Sequence, residues 1–261
     1  MFELKVIEIK RKDDLLTVAA LGLVAMCVVT FDHEALGHGG ACLLLGGHIR
    51  LLTSSVFRCD LASPWIDAGG PMLNLIAGAL ALAARVFIPS RFIKVRFFLI
   101  LVTAFSFFWE GGYLIHAMHR QDGDLYFFIR SLTGTVTVTE RWIGAALGLV
   151  LYLATVRLTS RALLTVAPLA ANARAIARTA WIAAALGATL AAALGPDWGD
   201  LRDAFMEIGL ASFPLLLIPR GIHEDPTASS RPTIVRSGAA IVLALVVYGI
   251  FAATLGHGLR W

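Results

Sequence analysis

Long apolar blocks alternate along the chain with short polar or basic segments. About 20 consecutive apolar residues in a helix span the hydrocarbon core of a bilayer, so blocks of this length predict transmembrane helices. The blocks cover residues 15–37, 69–89, 95–117, 142–157, 177–195, 203–219 and 236–255. We therefore predict an all-α, polytopic transmembrane bundle of about seven helices, whose first helix continues to Leu45.

Composition agrees with this pattern and excludes other classes of protein. Hydrophobic residues make up 58% of the 261 residues and charged residues only 15%, which is more apolar than a soluble core requires. The net charge of +4 reflects the loops between helices, and no basic and aromatic patch favours binding to nucleic acid. With the N-terminus inside, the inner segments hold fifteen of the 22 Lys and Arg residues. The inside rule therefore predicts a cytoplasmic N-terminus and an outer C-terminus. We expect the membrane to be a bacterial inner membrane.

The hexapeptide from His33 to His38, with Glu34 and Gly37 inside it, interrupts the first apolar block. Ionisable residues are costly in a membrane segment and usually mark function. Residues five apart lie about 140° apart around an α-helix and cannot share a metal ion, whereas residues four apart can. A π-bulge between His33 and His38, which Gly37 would tolerate, absorbs the extra residue.

Other interpretations of the hexapeptide remain open. Glu34 with His38, and His38 with Cys42, have the four-residue spacing that suits a shared metal ion. The two histidines are also compatible with polar residues at a helix end that interfacial water solvates.

Polar residues in the next two predicted helices lie at a similar depth. Asn74 follows the Gly69–Gly70–Pro71 helix start, where Pro71 fits the first turn and a buried amide needs a partner. Glu110 is the single carboxylate inside the third apolar helix and should face the bundle interior. In the predicted topology these residues, the histidines and Asp124 converge on the outer half of the membrane.

The order of these motifs resembles that of site-2-protease-type intramembrane metalloproteases. That family has a His-Glu-x-x-His helix, then a Gly-x-x-x-Asn motif, then an Asp-Gly motif that supplies a third ligand. Here the matching segments are His33 to His38, Gly70 to Asn74, and Asp122 to Asp124. The resemblance covers roughly residues 15–130, and the first motif departs from the family pattern by one extra residue.

The resemblance implies a zinc-dependent peptidase with His33 and His38 as ligands, Glu34 as the base, and Asp122 or Asp124 as the third ligand. We favour Asp124 because it opens the next apolar run and can point back into the bundle. Supporting or substrate-binding roles fall to Asn74, Glu110 and Asp122. Residues 1–130 would form the metalloprotease-like membrane core, and residues 131–261 would add further helices to the same domain.

Three functions fit these features. The first is a Zn²⁺-dependent intramembrane peptidase that hydrolyses a peptide bond of a membrane or membrane-proximal protein. The second is a catalytically degenerate relative that binds a membrane partner, if the extra residue really separates the histidines. The third is a metal-dependent lipid hydrolase, or a transporter that uses the same polar cluster. All three place the protein in the lipid bilayer.

Two further segments give weaker indications. A disulfide between Cys42 and Cys59 is possible if the outer compartment is oxidising. The β-prone stretch from Tyr126 to Arg141 suggests a re-entrant loop or strand with which an extended substrate could pair, or else an ordinary surface loop.

Overall fold

The computed structural model describes residues 12–167, 169–195, 198–218 and 233–261. Six helices in it are long and apolar enough to cross a membrane: Leu15–Leu44, Pro64–Phe87, Ile93–Arg120, Val138–Leu164, Ala171–Ala192 and Gly238–Gly256. The predicted all-α helical bundle is therefore confirmed. The N-terminal segment as far as Arg11 and residues 219–232, which include the end of the apolar block predicted at 203–219, lie outside the described residues.

The chain forms ten α-helices, three π-helical segments and three strands within the described residues. The α-helices are α1 Leu15–Phe31, α2 Gly40–Leu44, α3 Pro64–Phe87, α4 Ile93–Arg120, α5 Asp124–Thr133, α6 Val138–Leu164, α7 Ala170–Ala192, α8 Trp198–Ala204, α9 Pro214–Leu217 and α10 Gly238–Phe251. The π-helical segments are π1 Asp32–Gly39, π2 Phe205–Leu210 and π3 Ala252–Gly256. The strands are β1 Ile49–Leu52, β2 Phe57–Cys59 and β3 Leu259–Arg260.

The first helix runs without a break through α1, π1 and α2. It begins at Asp14, whose carboxylate accepts a hydrogen bond from the backbone N–H of Thr17 at 2.8 Å. Within π1 the bonding changes register, and the N–H of Gly40 reaches back five residues to the carbonyl of Ala35. The predicted π-bulge and the predicted continuation of the helix, which ends at Leu44, are both confirmed.

Close contacts between backbones show that α1 and α7 run in the same direction. Gly22 of α1 packs against Ala180 of α7, and further along both helices Met26 packs against Gly187. Small residues at such crossings let two helices approach closely without a clash.

Helix α10 also runs parallel to α1. At its start, the N–H of Ser237 donates to Thr17 Oγ1 at 3.0 Å, close to where α1 begins. At the far end, Gly256 packs against Ala191 near the end of α7. Because α7 and α10 are parallel, the chain must return between them.

The segment from α8 to α9 makes that return and is antiparallel to α7. Arg178 Nε donates to the carbonyl of Leu216 at 3.0 Å, and Trp181 Nε1 donates to the carbonyl of Gly209 at 2.9 Å. The single helix predicted at 203–219 is wrong in detail. It is two short helices on either side of π2, because Pro214 restarts the helix and polar residues interrupt the apolar run.

A small sheet covers one end of the bundle, which we call the sheet end. Its strand order is β2-β1-β3, with both pairings antiparallel. A disulfide between Cys42 of α2 and Cys59 of β2 fastens this sheet to the end of the first helix. Residue 12 and the C-terminal strand lie at opposite ends of the bundle, since the first helix separates them.

Two local predictions are wrong. The stretch from Tyr126 to Arg141 forms no strand, because α5 covers its first part and Thr137 starts α6 with a capping box to Glu140. Helix α3 begins at Pro64 rather than near residue 69, so Pro71 lies inside the helix instead of in its first turn. Proline is well suited to a helix start, and Pro64 already occupies that position.

We expect Gly22→Ala to destabilise the bundle, because the added Cβ would lie 2.5 Å from the backbone oxygen of Ala180. Overpacking of this kind costs about 1–3 kcal/mol. The matched control is Gly249→Ala in α10, where a Cβ meets nothing within 4 Å. Unfolding in mixed detergent micelles should show a lower free energy of unfolding for Gly22→Ala than for Gly249→Ala. Equal values would mean that the α1–α7 contact is not tight.

Candidate metal centre

His33, His38 and Asp124 each direct one donor atom toward a common point. The Nε2 atoms of the two histidines are 3.1 Å apart. Asp124 Oδ2 lies 3.5 Å from His33 Nε2 and 3.4 Å from His38 Nε2. Both histidines are buried and Asp124 is partly exposed. The three residues predicted as ligands thus form one group that could hold a metal ion.

The π1 segment is what brings the two imidazoles together. In an α-helix residues five apart point about 140° away from each other, whereas a five-residue hydrogen-bond spacing places them one turn apart on the same face. Gly37 lies between them and allows α3 to approach, since a Cβ there would meet Gly70 Cα at 2.5 Å and the carbonyl of Gly69 at 2.7 Å.

Hydrogen bonds at the far side of each ring fix which nitrogen is free. His33 Nδ1 lies 3.1 Å from Glu110 Oε1, and that oxygen also accepts a hydrogen bond from Asn74 Nδ2 at 2.9 Å. His38 Nδ1 lies 2.6 Å from the carbonyl of Ile66. We assign the ring proton to Nδ1 in both histidines because carboxylate and carbonyl oxygens only accept. Each Nε2 is then left with a lone pair directed at the common point.

Asn74 and Glu110 form a buried polar layer behind the His33 ring. Both are fully buried, and Asn74 Nδ2 donates to Glu110 Oε1 behind His33. Asn74 Oδ1 and Glu110 Oε2 have no hydrogen-bond partner among the described residues. Trp109 stacks on His33 with ring centroids 4.3 Å apart and closes the apolar side of the ring. Glu110 therefore orients His33 and increases its basicity toward a metal ion.

The common point attracts positive charge. Burial raises the pKa of the Asp124 carboxyl, but His38 and His33, when they carry a proton on Nε2 as well, outweigh it and hold that pKa well below its usual range. An ionised carboxylate and two nitrogen lone pairs repel one another at these distances unless a cation or a proton lies between them. Gly70 keeps the space open, because a Cβ there would meet Nε2 of both His33 and His38.

Asp124 reaches the centre because the chain turns sharply just before it. Gly123 has φ +96°, a conformation that favours glycine, and Asp124 is the first residue of α5. Asp122, the alternative third ligand, is exposed and accepts a hydrogen bond from the N–H of Gly123 at 2.9 Å. The structure brings Asp124 and not Asp122 to the histidines.

Glu34 lies beside the centre in the wall of a large cavity. The side chain is buried, and it lines the cavity together with His38 and Asp124. The cavity has a volume of about 1570 Å³ and also reaches Val56 and Phe57 of the sheet. Phe57 stacks on His38 with ring centroids 5.7 Å apart. Glu34 is thus placed to act on a molecule that enters the cavity and approaches the three donor atoms.

Sequence analysis missed Glu207, which lines the same cavity from π2. Its Oε2 atom is shielded from solvent and has no hydrogen-bond partner among the described residues. The signal was available, because Glu207 falls inside the apolar block predicted at 203–219, where a carboxylate is costly. A carboxylate inside an apolar helix should face the bundle interior, and this holds for Glu207 as it does for Glu110.

Other side chains that could in principle bind a metal ion are not part of the group of three donor atoms. Cys42 is not a free thiol, since it forms the disulfide with Cys59. His116 and His119 are exposed and line the outer part of the cavity. Of the pairings that the four-residue spacing left open, the one between His38 and Cys42 is therefore excluded.

Comparisons of the chain with models of known protein families, with curated proteins and with solved structures find no match.

We expect Gly70→Ala to abolish metal binding, because the new methyl group would take the space between the two Nε2 atoms. Gly40→Ala is the matched control, since a Cβ at that helical position meets nothing within 4 Å. Elemental analysis after chelator-free purification should find metal in the control and none in Gly70→Ala, while both variants keep their helical circular dichroism. Full metal content in Gly70→Ala would argue against this geometry.

We expect Glu110→Gln to weaken metal binding by about 10- to 100-fold, because removing the charge behind His33 lowers the basicity of that ligand. Glu140→Gln removes an equivalent charge from an exposed helix cap and should leave the affinity unchanged. Competition with a chromophoric chelator measures both dissociation constants. Equal affinities for the two variants would remove Glu110 from the metal centre.

Proposed function

We propose that the protein is a zinc-dependent intramembrane peptidase that hydrolyses a peptide bond of a membrane or membrane-proximal protein. The observation that carries this proposal is the convergence of His33, His38 and Asp124 beside Glu34, in the wall of an open cavity. The order of the motifs along the chain, which resembles that of site-2-type proteases, supports the same conclusion.

The donor set favours zinc among the common metals. Two imidazole nitrogens and one carboxylate oxygen are frequent ligands in catalytic zinc sites, which keep a fourth position for water or substrate. Atoms bound about 2.0–2.2 Å from a tetrahedral zinc lie about 3.3–3.6 Å from one another. The separations of 3.1, 3.4 and 3.5 Å between the donor atoms are close to that range. When bound, zinc supplies a Lewis acid that polarises a carbonyl and makes water nucleophilic near neutral pH.

Glu34 performs the proton transfers. Its carboxylate accepts a proton from the attacking water and then delivers that proton to the nitrogen of the leaving amine. Burial of the side chain excludes competing water from this transfer. His33 and His38 keep their Nδ1 protons throughout, because Glu110 and the carbonyl of Ile66 hold them.

The shape of the cavity favours a peptide as the substrate. Residues Val56 to Cys59 line it and include all of β2, which is an edge strand of the sheet among the described residues. An extended peptide can add to such an edge through backbone hydrogen bonds, and its scissile bond would then lie near the metal centre. We expected an extended substrate to pair with the stretch from Tyr126 to Arg141. We now propose that it pairs with β2.

We further propose that the sheet end faces the outer, oxidising compartment. The disulfide between Cys42 and Cys59 is located there, and disulfides persist where the environment is oxidising. The distribution of Lys and Arg residues along the sequence, which favours a cytoplasmic N-terminus, leads to the same orientation.

The alternative of a catalytically degenerate relative is favoured if the extra residue separates the histidines. The Nε2 atoms are 3.1 Å apart, so this ground for expecting lost activity is gone. A lipid hydrolase would use the same metal and the same base, and the products formed distinguish it from a peptidase.

We expect the purified protein to hold about one zinc ion per chain, and Glu34→Gln to keep that zinc while turnover falls by about 10²- to 10⁴-fold. Asp124→Asn is the contrasting variant and should lose zinc together with activity. Zinc content and cleavage of membrane polypeptides are measured for both, the latter by comparing the membrane proteomes of cells with wild-type and Glu34→Gln protein. Absence of zinc from the wild type would refute the proposal. A changed lipid profile without accumulation of any polypeptide would move the assignment to a lipid hydrolase.

A further inference from the structure

Glu207, like Asp67 and Asp203, is a carboxylate in the cavity to which the proposed reaction assigns no role, and of these three only Glu207 has a shielded, unpartnered oxygen among the described residues. It lines the same cavity as Glu34 and comes from π2, in the half of the chain that carries none of the motifs. Its Oε2 atom is shielded from solvent and accepts no hydrogen bond within the described residues. A shielded, unpaired carboxylate is costly, so a molecule that binds there and supplies the missing partner would be favoured.

The surroundings of Glu207 are rich in negative charge. The charged groups that act on it most strongly are Glu34, His33, Asp203 and Asp124, and none of them is a lysine or an arginine. Arg202 is the nearest cation along the chain, but its guanidinium is bound to Asp203 at 2.8 Å. Six carboxylates line the cavity against three arginines, Arg58, Arg120 and Arg202, so a bound zinc ion would leave one negative charge in excess.

Hydrogen bonds hold the backbone of this segment in place. The change to five-residue bonding in π2 frees carbonyl groups, and two side chains from neighbouring helices satisfy them. Trp181 Nε1 donates to the carbonyl of Gly209 at 2.9 Å, and the hydroxyl of Tyr152 donates to the carbonyl of Ala211 at 2.8 Å. Glu207 is therefore presented from a fixed backbone, which lowers the entropic cost of binding a ligand.

We propose that Glu207 binds a positively charged amino group of the substrate and makes the peptidase selective for peptides with such a group next to the scissile bond. This inference rests on the proposed function, because it places the substrate at the same metal centre. An ammonium group supplies the donors that Oε2 lacks and balances the excess negative charge. The group could belong to a lysine side chain or to the amino terminus of the peptide, since both present the same chemistry.

Small hydroxamates test the proposal, because the hydroxamate group anchors each probe at zinc. N-acetyl-norleucine hydroxamate is the neutral reference. N-acetyl-lysine hydroxamate adds a side-chain ammonium group, and norleucine hydroxamate with a free α-amine adds an amino-terminal one. Calorimetry on the zinc-loaded protein in detergent micelles at neutral pH measures the three dissociation constants, so that no turnover is needed.

We expect at least one of the charged probes to bind about tenfold or more tightly than the neutral reference, as a hydrogen bond to a charged group warrants. The probe that gains affinity identifies the source of the amino group. In Glu207→Gln, which keeps the shape of the side chain and removes its charge, this preference should fall to about threefold or less. Asp203→Asn removes a charge from the same cavity that is already paired with Arg202, and it should retain the preference.

Equal binding of all three probes to the wild type would overturn the inference without any variant, and would leave the proposed function standing because the hydroxamates still bind. A preference that survives in Glu207→Gln, or that is lost equally in Asp203→Asn, would also overturn it, since another carboxylate or the general charge of the cavity would then be responsible. Failure of every probe to bind in a zinc-dependent manner would overturn both the inference and the proposed function.

Discussion

The five-residue hydrogen bonding of π1 determines where both imidazoles lie, and the rest of the centre is arranged around it. A π turn is rare because its backbone bonding is less favourable than that of an α-helix, so its surroundings must stabilise it. Here Gly37 allows the backbone of α3 to approach, and His38 is bound to the carbonyl of Ile66 in that helix. The same contacts that stabilise the turn therefore aim the ligands.

Polar groups buried in an apolar bundle need partners, and this requirement joins neighbouring helices through hydrogen bonds. Glu110 on α4 holds His33 on π1 and accepts from Asn74 on α3. Three helices are thus joined by one carboxylate, at a depth where water cannot replace a lost hydrogen bond. Removing any member leaves the others unsatisfied, so the second layer behaves as a unit.

The sequence predicted the parts of the centre that depend on local spacing or on the cost of burying charge. The histidines and the π-bulge follow from such rules. The third ligand comes from the resemblance to site-2-type proteases, and Asp124 is preferred to Asp122 because it opens the next apolar run. The sheet could not be predicted in the same way, because β2 has only three residues and β1 pairs with β3 from the far end of the chain, as Leu52 with Leu259 shows. The cost of burying a carboxylate in an apolar helix predicts an interior position for Glu110, and it applies to Glu207 as well. The break in the helix around π2 was not predicted, so the position of Glu207 in the bundle was not predicted either.

The two π turns near the cavity explain why the C-terminal half belongs to the site. π1 provides Glu34 and the imidazoles, and π2 provides Glu207 to the same cavity. A regular apolar helix in place of the segment from α8 to α9 would connect α7 to α10 equally well. The charged residues and the irregular backbone of the observed segment would then destabilise the bundle without any compensating interaction. The proposed function accounts for both, since an irregular segment can present polar groups to a cavity that a regular lipid-facing helix could not tolerate.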